Sequence, residues 1–472
     1  MLVDFFTREW ITVHGLLTMA GLVIYGLASY AWRQRRHPSA AIAWIISLTL
    51  LPEVALPLYL LIGNRKIVRE APQRRLDGGG GVDSASATPA ARLLHLAGAM
   101  GLPPAAPYGD LRIDADGGAA LERVLDLLAK AERQIDVCTF ILGRDAVGAA
   151  ISAALIERAR AGVKVRLLID SIGIWLGGRP NLKPLAAAGV RTCMFVSPWR
   201  SPLPGRTNLR NHRKMIIVDG ATLWTGGRNL AAEYFTGDPA SPLHRKPWND
   251  LSFTFEGILV TTAARQFERD WAFASGEPLA EPALPASRTE AGGATAQAQF
   301  IASGPDQADD TFYAMMVSSC YMAQTRILAV TPYYVPDAAL QMAFTLAALR
   351  GVRVDLVLPR VSNHALADIA RNAALRELQN AGGRIWLMPE MIHAKGIVVD
   401  DTLALSGSAN LDERSLFLNY EMMIAFFDQG DVRAFAQWID GQRQRARSAQ
   451  LPATGMARAF LENLVRWLAF QI

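Results

Sequence analysis

The chain has 472 residues, 51% of them hydrophobic, and 48 Lys and Arg against 43 Asp and Glu leave a formal net charge of +5. That length and apolar content exclude a disordered chain and allow two or three domains with sizeable cores. The slight basic excess suits an anionic surface or substrate without choosing between lipid and nucleic acid.

Residues 10–32 carry no formal charge, match the roughly 20 apolar residues that span a bilayer, and are bracketed by Trp10 and Trp32. The preceding Asp4, Arg8 and Glu9 mix both signs, and the apolar run exceeds the roughly 7–15 residues of a signal peptide, so it reads as an anchor. After a loop bearing Arg33, Arg35 and Arg36, a second apolar segment from about residue 41 to 62 is interrupted by Pro52, Glu53 and Pro57. It reads as a kinked second span, with Glu53 protonated, near an interface, or turned toward the first helix. Residues 1–71 thus form a transmembrane hairpin. Arg8, Arg65, Lys66, Arg69, Arg74 and Arg75 outweigh the three arginines of its loop and place the remaining chain on the cytoplasmic side of the membrane. A Gly-, Ser- and Ala-rich linker occupies 72–92.

Beyond it the sequence repeats. A first domain, 93–274, carries AERQIDVCTFIL, ARAGVKVRLLID and LAAAGVR; a second, 299–472, carries AQTRILAVTPYYVP, ALRGVRVDLVLP and LQNAGGRIW, and a Pro- and Ala-rich joint, 275–298, lies between. The alternation of strand and helix predicts an α/β fold in each half, with parallel strands covered by helices and the halves related by a pseudo-twofold axis. Cys138, Cys193 and Cys320 stand in no metal-ligand spacing and read as small buried hydrophobes. At the end of the chain Phe460, Leu464, Trp467, Leu468 and Ile472 share one helical face, as on a membrane-surface helix or one packed on the body.

Each half also contains HxKx4Dx6G(G/S)xN: His212, Lys214, Asp219, Gly226, Gly227 and Asn229, then His393, Lys395, Asp400, Gly407, Ser408 and Asn410. Two such copies point to one site built from two halves. A neutral histidine can attack phosphorus while a second, protonated histidine donates to the departing alkoxide. Lys214 and Lys395, with Asn229, Asn410 and Ser408, suit the phosphoryl oxygens. Asp219 and Asp400 complete the triplets and read mainly as residues that hold strand and loop in place. No metal and no cofactor is expected. The basic run Arg206, Arg210 and Arg213 suits anionic head groups or a solvated face. His14, His37, His95, His244 and His364 lie outside the motif, with His244 the best exception, among Arg245, Lys246 and Trp248.

The doubled motif resembles the phospholipase D superfamily. RRHPSAAIAWIISLTLLPEVALPLYLLIGNRK, WNDLSFTFEG, TPYYVPD and GSANLDERSLFLNYE narrow the resemblance to its bacterial cardiolipin synthases, over nearly the whole chain. The resemblance implies two similar phospholipase D-like domains, each a mixed sheet flanked by helices, at a bacterial inner (plasma) membrane, and phosphatidyl transfer between two phosphatidylglycerol molecules, giving cardiolipin and glycerol. It also implies an acidic residue after each motif holding a histidine's second ring nitrogen, at Asp250 and Glu421, and favours His212 as nucleophile with His393 as acid and base. Gly227 departs slightly, standing where serine is common. Hydrolysis of phospholipid to phosphatidic acid, phosphatidylethanolamine as donor, and a membrane-tethered nuclease are the competing readings; a nuclease would show a stronger basic groove with stacking aromatics. Anionic membrane lipid is the expected partner, nucleic acid is not, and an oligomer is compatible with the reading.

Overall fold

The computed structural model describes residues 2–31, 38–63, 66, 88–196, 208–239, 246–283, 296–459, 462 and 465. The hairpin-loop arginines, Trp32, Arg65, Arg69, Arg74, Arg75, Arg206, His37, His244, most of the expected linker and the apolar C-terminal positions lie outside them.

The first half is built on a seven-stranded sheet. Gln134–Thr139, Lys164–Asp170 and Arg191–Phe195 run parallel, joined by helical crossovers such as Ala146–Arg160. These three carry the parallel pairing that the alternation of strand and helix predicts, and the remaining strands make the sheet mixed, as the resemblance implies. Met215–Val218 pairs antiparallel with Gln134–Thr139, and Thr222–Gly226, Ser252–Glu256 and Gly109–Asp114 continue antiparallel. The sheet is mixed because the turn after Val218 places Asp219 and Gly220 at φ 54° and 66°, and so short a connection can only make a hairpin.

The second half repeats this order in a nine-stranded sheet: Arg326–Val330, Arg353–Pro359 and Arg384–Met388 are parallel, and Gly396–Val399, Leu403–Gly407, Glu421–Phe426 and Gln297–Ser303 antiparallel. The stretch 93–107, grouped with the first half in the sequence, packs on this one. Leu93, Ala97 and Met100 join Met315, Met316 and Cys320, and Ala106–Pro107 pairs with Gln297 and Ala298. The apolar stripe of Pro89–Ala99 has found the open face of the helix Thr311–Met322.

Each sheet buries its outer face under helices, and the inner faces meet in one shared core. Phe253, Phe255 and Phe267 of the first half pack there with Met422, Ile424, Phe426 and Phe435 of the second. Burying a phenylalanine contributes roughly 1.5–3 kcal/mol, so this cluster contributes strongly to holding the two halves together. Cys138 and Cys320 are buried and Cys193 is half-buried, all three as free thiols.

At the N-terminus, Leu2–Ala31 contains Thr12–Ser29, which is long and apolar enough to cross a membrane. The second apolar segment is two helices, Pro38–Leu50 and Pro52–Ile62, because Pro52 pushes Leu51 out of the helical region to φ −139°. Glu53 faces the first helix, its Oε1 2.8 Å from His14 Nδ1. Lys66 docks this element on the second half: its ammonium donates to the carbonyls of Gly304, Gln307 and Asp309 and lies 2.8 Å from Asp310 Oδ1.

Candidate active site

His212 and Lys214 immediately precede the strand Met215–Val218, and His393 and Lys395 precede Gly396–Val399. Extended backbone sends alternate side chains to one face, so histidine and lysine point together toward the junction of the halves. The residue between is turned the other way. Arg213 is therefore neither solvated nor offered to a head group: it is fully buried, donating to Asp270, Asp306 and the carbonyls of Ser303 and Glu421. It ties the first motif to the second half.

The structure separates Asp219 and Asp400 from the histidines and corrects their place beside the catalytic groups. Both sit at the hairpin turn, at φ 54° and 52°, and five residues of strand put Asp219 roughly 17 Å from Lys214. Asp219 accepts from the backbone N–H groups of Glu132, Arg133 and Gln134, and Asp400 from those of Gln324, Thr325 and Arg326. These carboxylates lock each hairpin to the start of the next strand. The glycines Gly226 and Gly407 are needed for close approach: a Cβ would lie 2.3 Å from the Leu251 carbonyl oxygen and 2.2 Å from that of Met422.

The two halves interlock at the histidines. Backbone bridges join Asn211 to Tyr420 and Asn249 to Ile392, the residues just before His212, Glu421, Asp250 and His393. Each carboxylate is thereby carried across to the other half's histidine. Asp250 Oδ2 lies 2.8 Å from His393 Nδ1, and Glu421 Oε1 lies 3.6 Å from His212 Nδ1. Asp250 is further held by the Leu251 N–H, and Arg228 donates to its carbonyl. Ser408, expected on a phosphate, instead donates to Glu421 Oε2 at 2.5 Å and accepts from the Met422 N–H, because that carboxylate is the nearer acceptor. The Oδ1 atoms of Asn229 and Asn410 are both buried with no partner.

Electrostatics distinguish the two halves. Burial, then the Lys214 charge, holds His212 well below the usual imidazole range. Burial and Lys395 push His393 down to about 4, against the opposing pull of Asp250. Burial lowers Lys214, and lowers Lys395 to about 7. Asp250 stays below the usual carboxylate range despite its burial, held there by His393, Lys395 and Arg228, whereas burial raises Glu421 to about 7. His393 thus has a tight, ionised partner and His212 a looser one that holds its proton more readily.

The surroundings differ as well. His393 is 8% exposed and enclosed by Tyr234 and Trp248, while His212 stacks on Phe140 and opens to a cleft of about 320 Å³. Arg210, Tyr333, His364, Asn410, Arg414 and Asn419 lie along that cleft. Sequence reasoning missed Phe140, Tyr234, Arg414 and Asn419. Arg414 and Asn419 lie within GSANLDERSLFLNYE, so the signal was present but carried no geometry. A second cleft, of about 370 Å³, opens around Arg112, Arg123 and Asp219 at the far end of the motif strand. His95 is exposed, and among the described residues no cluster of three or more His, Cys, Asp or Glu could hold a metal ion.

A family model described as cardiolipin synthase, phospholipase D-like domain, matches residues 124–271 and 317–443. The chain belongs to this family. It is 32% identical to a cardiolipin synthase A of Pseudomonas aeruginosa, over 89% of this chain and 87% of the relative. It is 31% identical to a cardiolipin synthase of Geobacillus thermodenitrificans, over 82% and 80%. Among solved structures, a phosphatidylserine synthase of Haemophilus influenzae shares the fold, with a TM-score of 0.60 and 13% identity over 81% of this chain and all of that one.

Proposed function

We propose that the protein transfers a phosphatidyl group from one phosphatidylglycerol to another through a phosphohistidine at His212, giving cardiolipin and glycerol. The observation that carries this reading is the crossed, unequal pairing: Asp250 lies 2.8 Å from the enclosed His393, whereas Glu421 stays 3.6 Å from His212, which opens to the cleft. A neutral imidazole is the nucleophile and a carboxylate-paired one stabilises the imidazolium. His212 Nε2 attacks phosphorus, the bond from phosphorus to the glycerol oxygen breaks, and His393 Nε2 gives its proton to that oxygen. The primary hydroxyl of a second phosphatidylglycerol then bonds to phosphorus as the Nε2–P bond breaks, returning its proton to His393. Lys214 and Lys395 donate to the backbone carbonyls of His212 and His393, which holds their ammonium charges beside the two rings, in reach of the non-bridging oxygens. An entering phosphodiester anion offsets the repulsion of these ammonium groups and raises the proton affinity of His393, charging the acid as substrate binds.

The hairpin supports a multi-pass anchor in a bacterial inner membrane with the catalytic halves cytoplasmic, and the docked Lys66 keeps those halves against it. Chelator-treated, detergent-solubilised protein is incubated with labelled phosphatidylglycerol and its lipids are identified by mass spectrometry. Cardiolipin with free glycerol is expected; phosphatidic acid alone means that water is the acceptor, and no turnover overturns the assignment.

Gly227 tests the crossed pairing. A Cβ there would lie 2.1 Å from Asp250 Oδ1, so Gly227→Ala displaces the carboxylate from His393. Cardiolipin formation is expected to fall about 10–100-fold, the size of effect seen when an orienting partner is lost, at an unchanged thermal midpoint.

A further inference from the structure

Three residues lining the His212 cleft carry buried polar atoms that the protein leaves unpartnered: Arg210 Nη2, Asn410 Oδ1 and Asn419 Oδ1. The orientation of the Asn419 amide follows from its neighbour. Asn419 Nδ2 donates to Glu421 Oε1 at 3.3 Å, and because a carboxylate accepts only from the amide nitrogen the Asn419 oxygen is left for another donor. Arg210 is held from one side, its Nη1 donating to Ser171 Oγ at 3.1 Å and to the Val196 carbonyl, with Asp170 at 3.4 Å. Buried groups of this kind are costly unless something completes them. The cleft therefore offers a guanidinium donor, a second guanidinium from Arg414, and two bare carbonyl acceptors. Its complement is an anion that also carries hydroxyl groups.

Resting on the phosphatidyl-transfer reading, we infer that this wall is the acceptor subsite. It holds the second phosphatidylglycerol by its phosphate on Arg210 and by its glycerol hydroxyls on Asn410 and Asn419. The terminal hydroxyl is then delivered to the phosphatidyl group on His212. Its oxygen bonds to phosphorus, the Nε2–P bond breaks, and the hydroxyl proton passes to His393. The lip of the cleft selects a lipid over a soluble glycerol phosphate. Ile172 and Leu176 line it and, with Trp175, are 38%, 64% and 61% exposed, on a short helix capped by Asp170, the same carboxylate that meets Arg210. Polar floor and apolar lip are joined through one side chain.

The test separates the two half-reactions. With phosphatidylglycerol labelled in both glycerol head group and acyl chain, glycerol release reports loading of His212, and the ratio of cardiolipin to phosphatidic acid reports the acceptor. Arg210→Lys is expected to lower that ratio at least about tenfold while glycerol release stays within about threefold, because it removes the unpartnered Nη2 and leaves both histidine–carboxylate pairs untouched. An unchanged ratio, with or without a parallel fall in glycerol release, overturns the subsite. Soluble glycerol 3-phosphate accepting as well as the lipid overturns the role of the lip. If the parent protein releases no glycerol at all, the phosphatidyl-transfer reading itself fails, and that outcome is distinct from the others.

Discussion

His212→Ala is expected to lower glycerol release from phosphatidylglycerol by at least about 10⁴-fold, a loss of transition-state stabilisation above about 5 kcal/mol. The side chain supplies the atom that becomes bonded to phosphorus, and no neighbour replaces it. His393 is enclosed by Tyr234 and Trp248, and Lys214 donates to the His212 backbone carbonyl at 2.8 Å. The fold does not depend on the ring, since the backbone of His212 makes the cross-half bond, its N–H donating to the Tyr420 carbonyl at 2.9 Å. Membrane insertion and the thermal midpoint should therefore be retained. Full activity in this variant would sink the phosphohistidine mechanism.

Asp250→Asn is expected to cost about 10²–10⁴-fold, in the range reported for the same exchange in a serine protease triad. The Leu251 N–H lies 2.7 Å from Asp250 Oδ1 and requires an acceptor there, so the asparagine amide nitrogen must face His393 Nδ1. An amide N–H beside Nδ1 forces that nitrogen to accept, and the ring can no longer take a second proton. The sign of the pH effect follows. Asp250 raises the proton affinity of His393 against burial and Lys395, which hold it at about 4. Removing the charge lowers it further, so the alkaline limb of the kcat profile, set by His393 as the acid, moves to lower pH and activity at neutral pH falls. A profile that keeps its position would show that Asp250 does not act through His393.

Much of the site is legible in the sequence, because residues two apart on a strand must share a face: each histidine travels with its lysine wherever the fold puts them. The same alternation turns Arg213 away, and a stricter reading of it would have removed Arg213 from the head-group candidates. Asp219 and Asp400 were readable as structural residues, since aspartate tolerates the left-handed turn they occupy. The crossing of Asp250 to His393 and of Glu421 to His212 was not readable. Spacing along one half says nothing about which half's histidine a carboxylate will meet, and only the bridges at Asn211 and Asn249 decide it. The mixed sheets were readable from the resemblance and not from the alternation, because strand and helix alternate in the sequence whether or not the last strands return as hairpins.

The sequence alone determined that two equivalent half-sites exist, that each brings a histidine and a lysine, and that an apolar hairpin precedes them, because residue type, period and repetition are properties of the chain. Only the tertiary structure decided that the halves are chemically unequal. A shorter Asp250 against Gly227 reaches its histidine at 2.8 Å, while a longer Glu421 shared with Ser408 stays 3.6 Å from the other. Burial then sets the proton affinities of His212, His393 and Glu421 apart, and burial exists only once the two sheets have closed on one core.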